Sequence, residues 1–253
     1  MTNEVRQATK ADDADTMVLL ERHGARADIV LNRSAKRNAL IAPMMAQLRD
    51  AFLQVAADDS VHAVLVRGAG GALCSGLDLK TINAEPQPDW VPDMPRIWRE
   101  TNEAMAACPK PMVCALEKYA INGGAPIAFA CDFLIAGQTS YVLVGEVQRG
   151  MAAPNNLAWL QGKYGEAIAL RFALLGDPVP APDLLRLGIA YSVVPDDEVL
   201  AQASALADKL AGFPADTAQT IKRAIRALGS SGLSEPTTWF ARAQRASRPV
   251  TSA

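Results

Sequence analysis

The chain has 253 residues, of which 50% are hydrophobic and 21% charged, and its formal net charge is −2. This composition is ordinary for a globular protein with a sizeable core in one or two domains. The nearly neutral charge provides no field that would recruit nucleic acid or an anionic membrane, and no uncharged apolar stretch approaches the ~20 residues of a membrane span.

The N-terminus and the cysteines both indicate a protein of the reducing cytoplasm. Residues 1–15 are polar and acidic, so we expect a flexible segment there that lacks the basic-then-apolar layout of a signal peptide. The four cysteines form no CxxC pair, and the two histidines lie far from them in sequence. Buried free thiols are therefore expected, and no metal site.

Short apolar runs alternate with helical patterns through the first three quarters of the chain. This alternation predicts an α/β fold with crossovers of the parallel type. Strands are predicted at 17–21, 27–31, 61–66, 112–116 and 133–136, and helices at 42–57, 89–107 and 126–130.

The pattern changes at Pro195. Beyond it the sequence predicts two alanine-rich helices, at 199–211 and 214–228, and no strand. We therefore divide the chain into a flexible start, an α/β core and a C-terminal helical region, at 1–15, 16–195 and 196–253. The apolar positions of the last region fit either an interface between subunits or an intrachain core; they include Leu206, Leu210, Ile221 and Ile225.

Two glycine-bearing turns are the most informative feature of the sequence. One contains Ser75-Gly76-Leu77 and the other Asn122-Gly123-Gly124, and each lies between an apolar run and a segment that can be helical. A backbone that turns on glycine at the start of a helix directs free N–H groups outward. Two such turns can direct two N–H groups at one oxygen, which is an oxyanion hole suited to a thioester enolate.

The order and spacing of these turns resemble the crotonase family, which contains enoyl-CoA hydratases and isomerases. The resemblance runs from about residue 29 to about residue 228 and includes the segments 31–40, 130–132, 145–146 and 187–190. It implies a spiral of repeated ββα units that processes an acyl-CoA thioester, with coenzyme A as part of the substrate and no further cofactor. It also implies a homotrimer or a dimer of trimers built by the C-terminal helices.

The resemblance assigns the catalytic groups. It places oxyanion donors at the N–H groups of Leu77 and Gly123 and a catalytic glutamate at Glu146, 14 positions after Asp132. Glu146 follows the apolar run 141–144, so we expect a partly desolvated carboxylate with a raised pKa. The competing interpretation is a solvated loop glutamate that pairs with a nearby arginine.

Pro126 is the main departure from the family. Hydratases of the family carry a second glutamate at this position, and the two carboxylates hold a water between them. Family isomerases use a single glutamate at the position of Glu146, so the sequence favours double-bond isomerisation over hydration, unless Glu103 or Glu117 replaces the missing carboxylate. Thioester or carbon–carbon bond hydrolysis and a catalytically silent acyl-CoA-binding protein remain as alternatives.

The resemblance also predicts the contacts with coenzyme A. Cationic side chains would meet its phosphates as charge-assisted donors, and backbone groups would meet the pantetheine and adenine. The predicted residues are Lys36, Arg37, Ala39, Ser75, Gly76, Lys80 and Gly124.

Two adjacent asparagines, Asn155 and Asn156, follow the catalytic glutamate in a segment that is usually glycine-rich in the family. They fit either a hydrogen bond to the acyl group or a water, or a cap on the next helix. We predict the cap.

Overall fold

The computed structural model describes residues 16–228, and the predicted flexible segment 1–15 lies outside them. The described strands are β1 Val18–His23, β2 Arg26–Leu31, β3 Ala63–Gly68, β4 Met112–Leu116, β5 Tyr119–Ile121, β6 Phe133–Gly137, β7 Tyr141–Leu143, β8 Val179–Pro180 and β9 Ser192–Val194. The described helices are α1 Ala42–Ala57, α2 Leu79–Ile82, α3 Met94–Ala107, α4 Ala125–Ala130, α5 Pro154–Tyr164, α6 Glu166–Leu175, α7 Ala181–Arg186, α8 Val199–Ala211 and α9 Ala215–Leu228.

The strands form two sheets. The larger has the order β1-β2-β3-β4-β6-β9, and all of its neighbouring pairs from β2 onward are parallel. The smaller has the order β5-β7-β8, with β5 and β7 parallel. Because parallel neighbours cannot be joined by a tight turn, the intervening chain must cross over between them, and the helices do so.

Each crossover follows the same course. A strand of the larger sheet leads to a short extended segment in a second layer, and a helix follows. β4 continues to β5 and α4, and β6 continues to β7 and then α5. The earlier passages use isolated parallel bridges in place of full strands, Leu40 with Leu77 and Cys74 with Ala120. The spiral of ββα units that the resemblance implied is therefore the observed fold.

Two helices of the core illustrate how the sequence sets their bounds. α1 covers the predicted residues, begins with Pro43 in its first turn and buries its apolar stripe completely. α3 begins five residues later than predicted, at Met94 rather than at position 89. Pro92 explains the delay, because a proline disfavours the helical conformation at the residue before it.

The C-terminal helices divide between two environments. α8 packs on the larger sheet of its own chain, and Leu206 and Leu210 are partly buried there. On α9, Ile221 and Ile225 are 55% and 63% exposed. Leu206 and Leu210 thus belong to the intrachain core, whereas those two isoleucines do not.

The four cysteines are buried free thiols, as the sequence predicted. Within residues 16–228, no helix combines the length and the apolar character needed to cross a membrane.

Candidate active site

The first glycine turn is held by a parallel bridge to Leu40. The N–H of Leu40 donates to the carbonyl of Gly76 (2.7 Å), and the N–H of Asp78 donates to the carbonyl of Leu40 (3.0 Å). Leu40 therefore bonds to both neighbours of Leu77. In a parallel bridge of this kind, the N–H of the residue between those neighbours is directed to the opposite side, so the Leu77 N–H is directed away from Leu40.

The second glycine turn packs directly against the first. A Cβ atom added to Gly123 would lie 3.3 Å from Cδ2 of Leu77. One added to Gly124 would lie 2.7 Å from Cβ of Cys74, which is closer than real Cβ atoms approach. Gly124 is therefore required for close packing between the two turns.

Three predicted catalytic residues line one cavity of about 1050 Å³: Leu77, Gly123 and Glu146. Ser75 and Pro126 belong to the same wall. The fold thus brings the two turns and the glutamate together from three successive crossovers. Among the described residues that line this cavity, Glu146 is the only carboxylate.

Neither proposed substitute for the missing second glutamate reaches the cavity. Glu103 pairs with Arg99 (2.7 Å) on α3, and Glu117 lies near Gly71, on another part of the surface. Neither side chain belongs to the cavity wall. Pro126 occupies the first turn of α4 in that wall, where a proline costs no hydrogen bond.

Glu146 begins a short 3-10 turn after β7 and is partly buried. Burial raises the pKa of its carboxyl above the ordinary value, the direction expected from the sequence. A hydrogen bond from Asn156 Nδ2 to Oε1 (3.0 Å) and the charge of Arg149 act in the opposite direction. The result is a carboxylate that is desolvated but still partnered.

The prediction that the paired asparagines cap a helix was wrong. α5 begins at Pro154, and its N-cap residue, Ala153, forms no side-chain capping bond in the described structure. Because proline is favoured at the first helical position, the helix starts before both asparagines. Asn156 is 2% exposed and bonds to Glu146 instead.

The predicted coenzyme A residues divide into two groups. Ser75 lines the cavity, and its N–H donates to the carbonyl of Arg37 (3.1 Å), which joins the two segments. The carbonyl of Ala39 accepts from Arg33 (2.9 Å). The other predicted residues lie outside the cavity wall: Lys36, Arg37 and Lys80 are exposed, whereas Ala39, Gly76 and Gly124 are buried.

A model of the enoyl-CoA hydratase/isomerase family matches residues 21–246. The chain belongs to the enoyl-CoA hydratase/isomerase family.

Curated relatives have two kinds of name. The 1,2-epoxyphenylacetyl-CoA isomerase of Escherichia coli is 31% identical over 209 residues, which cover 81% of this chain and 80% of the relative. A probable enoyl-CoA hydratase of Rhizobium meliloti is 31% identical over 210 residues, covering 82% and 80%.

Solved structures of family members share the fold. An enoyl-CoA hydratase/isomerase from Xanthobacter autotrophicus matches with a TM-score of 0.80 at 30% identity, over 91% of this chain and 86% of the other. A carnitinyl-CoA hydratase from Mycobacterium avium matches with a TM-score of 0.78 at 30% identity, over 92% and 89%.

The structure of this family member adds residues that the sequence did not indicate. Asn122 adopts φ +50°, a conformation that asparagine tolerates better than most residues, and its Oδ1 accepts from the N–H of Gly145 (2.8 Å). An asparagine directly before two glycines was the available signal. Three arginines also line the cavity: Arg96, Arg99 and Arg149.

The raised pKa of Glu146 predicts how stability changes with pH. The folded state disfavours the charged carboxylate, so the contribution of Glu146 is most favourable below its ordinary pKa of 4.5 and is lost as pH rises through the folded value. Glu146→Gln keeps an acceptor for Asn156 and removes the charge. We expect its Tm at pH 7 to exceed that of the wild type by a few degrees, with a difference that shrinks toward pH 4.

Thermal melts across this pH range test the expectation. The matched control is Glu103→Gln, which removes a paired carboxylate outside the cavity and should not raise the Tm. A Glu146→Gln protein whose Tm follows the wild-type pH dependence would contradict the assignment.

Proposed function

We propose that this enzyme moves a double bond within an acyl-CoA thioester and that Glu146 is its single proton carrier. The supporting observation is the cavity wall, where Leu77, Gly123 and Glu146 meet and where the described residues provide no second carboxylate. The shared family supports an acyl-CoA substrate.

The first step is removal of a proton from the carbon between the thioester carbonyl and a β,γ double bond. Oε2 of Glu146 is suited to accept it, because Oε1 is bound to Asn156 while Oε2 has no partner in the described part of the chain. The C–H electrons then delocalise into a dienolate with negative charge on the thioester oxygen. The N–H groups of Leu77 and Gly123 stabilise this oxygen, each by roughly 3–4 kcal/mol.

The second step returns the same proton to the γ carbon. The double bond then lies between the α and β carbons, and Glu146 is again a carboxylate. A raised pKa suits both steps, because the group must accept and release a proton near neutral pH. The reaction moves only a proton and electron pairs, so it requires no cofactor beyond the coenzyme A of the substrate.

Binding of coenzyme A is proposed at the junction between the first turn and the segment that precedes α1. Exposed Lys36 and Arg37 would meet the phosphates, and Arg37 is joined to Ser75 at the cavity. Ser75 lines the cavity whereas Gly76 is buried, so Ser75 provides the accessible edge of this turn. The cytoplasmic location remains a prediction from the sequence.

Hydration of an enoyl-CoA is the second candidate. The observation in its favour is that Oδ1 of Asn155 and Oδ1 of Asn156 have no partner among the described residues and belong to side chains of the cavity wall. Such oxygens accept hydrogen bonds from a water. Isomerisation remains the first choice, because an amide cannot accept the proton of an attacking water as a second glutamate would.

The turnover of Glu146→Gln tests the proposed base. The variant keeps the shape of the side chain and the hydrogen bond to Asn156, so we expect turnover of 3-enoyl-CoA to fall by about 10²-fold or more. Affinity for coenzyme A, measured by titration calorimetry, should change little. Wild-type turnover by this variant on a confirmed substrate would mean that another group carries the proton.

The same measurements on the wild type separate an enzyme from a silent binding protein. Binding of acyl-CoA without turnover across a panel of short- and medium-chain 3-enoyl and 2-enoyl thioesters would favour the silent protein. No binding at ~1 mM would reject both, since it corresponds to less than roughly 4 kcal/mol of affinity.

Restoring the second carboxylate should shift the reaction toward hydration. Pro126 lies in the cavity wall on α4, and Pro126→Glu places a second carboxylate there. We expect the ratio of 3-hydroxyacyl to isomerised product to rise, as measured by chromatography of the products. Pro126→Gln has the same length without the acid, and an equal rise in that control would show that the effect is not acid–base chemistry.

We propose that the chain assembles as a homotrimer or a dimer of trimers. The supporting observation is the exposed apolar surface of the C-terminal region, which includes Phe213, Ile221 and Ile225. Light scattering at micromolar concentration should give three or six times the 26.9 kDa of one chain. The double variant Ile221→Glu/Ile225→Glu should lower the mass, whereas Leu53→Glu on α1 should not. A wild-type monomer would reject the assembly.

A further inference from the structure

Two asparagines connect the proposed base to the second glycine turn. Nδ2 of Asn156 donates to Oε1 of Glu146 (3.0 Å) and to the backbone carbonyl of Asn122 (3.1 Å). In the opposite direction, the N–H of Gly145 donates to Oδ1 of Asn122 (2.8 Å). Residues 145 and 146 are thus connected to Asn122 in two ways, directly at Gly145 and through Asn156 at Glu146. Asn122 directly precedes Gly123.

The chemistry of these partners fixes the orientation of the Asn156 amide. A carboxylate oxygen and a backbone carbonyl both accept hydrogen bonds, so only the NH₂ group, with its two hydrogens, can satisfy both. The reversed amide would place an oxygen against two acceptors. Asn156 is 2% exposed, so water cannot replace the lost donors cheaply.

The 3-10 turn that follows Glu146 is held to the end of α6 at Gln148, whose Nε2 donates to the carbonyl of Gly176 (2.7 Å), but this bond does not reach the Glu146 carboxylate. The residues that follow Glu146 in the 3-10 turn, Val147 to Arg149, are exposed, and so are Gly150 and Met151. A turn at the surface tends to vary in position unless it is tied to the interior. The side-chain hydrogen bond to the Glu146 carboxylate comes from Asn156, which is itself buried in the first turn of α5.

We propose that Asn156 is a positioning residue that fixes the carboxylate of Glu146 relative to the oxyanion turn at Gly123. This inference rests on the proposed role of Glu146 as the base. By binding Oε1, the amide leaves the buried Oε2 without a partner among the described residues, as a proton acceptor requires, and by binding the carbonyl of Asn122 it sets the separation between the proton acceptor and the enolate oxygen. Reacting groups that are misplaced by about 1 Å can lose about 10²-fold in rate.

Two variants separate positioning from simple stability. Asn156→Leu preserves the approximate volume and removes both donor hydrogens. Asn156→Asp preserves the shape but replaces the donor with a second carboxylate next to Glu146. If the donor matters, both should reduce kcat between about 10- and 100-fold with KM changed less, and the aspartate should be the more damaging near neutral pH.

The pH profile and a direct titration provide the decisive readout. Loss of the donor removes an interaction that favours the ionised carboxyl, so the acidic limb of kcat/KM should move to higher pH in Asn156→Leu. ¹³C-glutamate NMR should show the same direction for the Glu146 signal, assigned by its absence in Glu146→Gln. Arg149, the other charged group whose field reaches Glu146, is unchanged in these variants.

Asn102→Leu is the matched control. Asn102 is also a buried asparagine with two hydrogen bonds, to the Trp98 carbonyl (2.8 Å) and from Trp159 Nε1 (2.8 Å), but it lies outside the cavity wall. We expect a lower Tm and an unchanged acidic limb. An equal shift of the acidic limb in Asn102→Leu would show that the effect at Asn156 comes from general destabilisation, and it would overturn the proposal.

The outcomes distinguish the two levels of the proposal. If Glu146→Gln is inactive while Asn156→Leu retains the wild-type kcat and Glu146 titration, the base is correct and positioning by Asn156 is wrong. If Glu146→Gln is fully active, the proposed function fails, and the positioning role fails with it. A milder effect of Asn156→Asp than of Asn156→Leu would also reject the donor role, because shape alone would then explain the loss.

Discussion

The close approach of two glycine turns is the constraint on which the candidate site depends. Gly124 packs against Cys74 where no Cβ atom would fit, and Gly123 meets the side chain of Leu77. This contact holds together the second layer of the spiral, where isolated bridges replace full strands. Two backbone hydrogen bonds of the bridge at Cys74, to the carbonyl of Tyr119 (3.3 Å) and from the N–H of Ile121 (3.0 Å), act together with this packing to set the position of one turn relative to the other. The same contact places Leu77 and Gly123 in one cavity wall, so the geometry of the proposed oxyanion hole depends on the packing of the fold.

The second constraint is the environment of one carboxylate. Glu146 is desolvated enough for its pKa to rise, yet its Oε1 is hydrogen-bonded, so the ionised form is accessible without a cation paired with it in the described part of the chain. Such a group costs stability near neutral pH, because the ionised carboxyl is the form that burial disfavours. Pro126 provides no acid in the cavity wall and is compatible with the first turn of α4.

Much of the fold followed from the sequence, because the signals were local. The first five strands of the larger sheet along the chain and helices α1 and α8 have strong apolar patterns, and their predicted bounds lie close to those observed, whereas β9 was not predicted. To identify the glycine turns, it was enough to know their order along the chain and the resemblance to the family. The helices α6 and α7 were not predicted. The predicted α3 began too early, before Pro92, since periodicity alone does not show at which residue a helix begins. The placement of Glu103 and Glu117 outside the cavity is a three-dimensional fact that no local pattern contains.

The paired asparagines show why side-chain roles are harder to predict than elements. From the sequence, an asparagine before a helix is most simply a cap, and capping depends only on the residues around it. The observed role of Asn156 depends instead on two partners, at positions 122 and 146, that arrive from different crossovers. Proline at the first position of α5 decides between the roles, because it moves the helix start to position 154 and turns Asn156 into an interior residue of the first turn. The interior position then leaves the NH₂ group no solvent partner, and the carboxylate of Glu146 and the carbonyl of Asn122 become its acceptors.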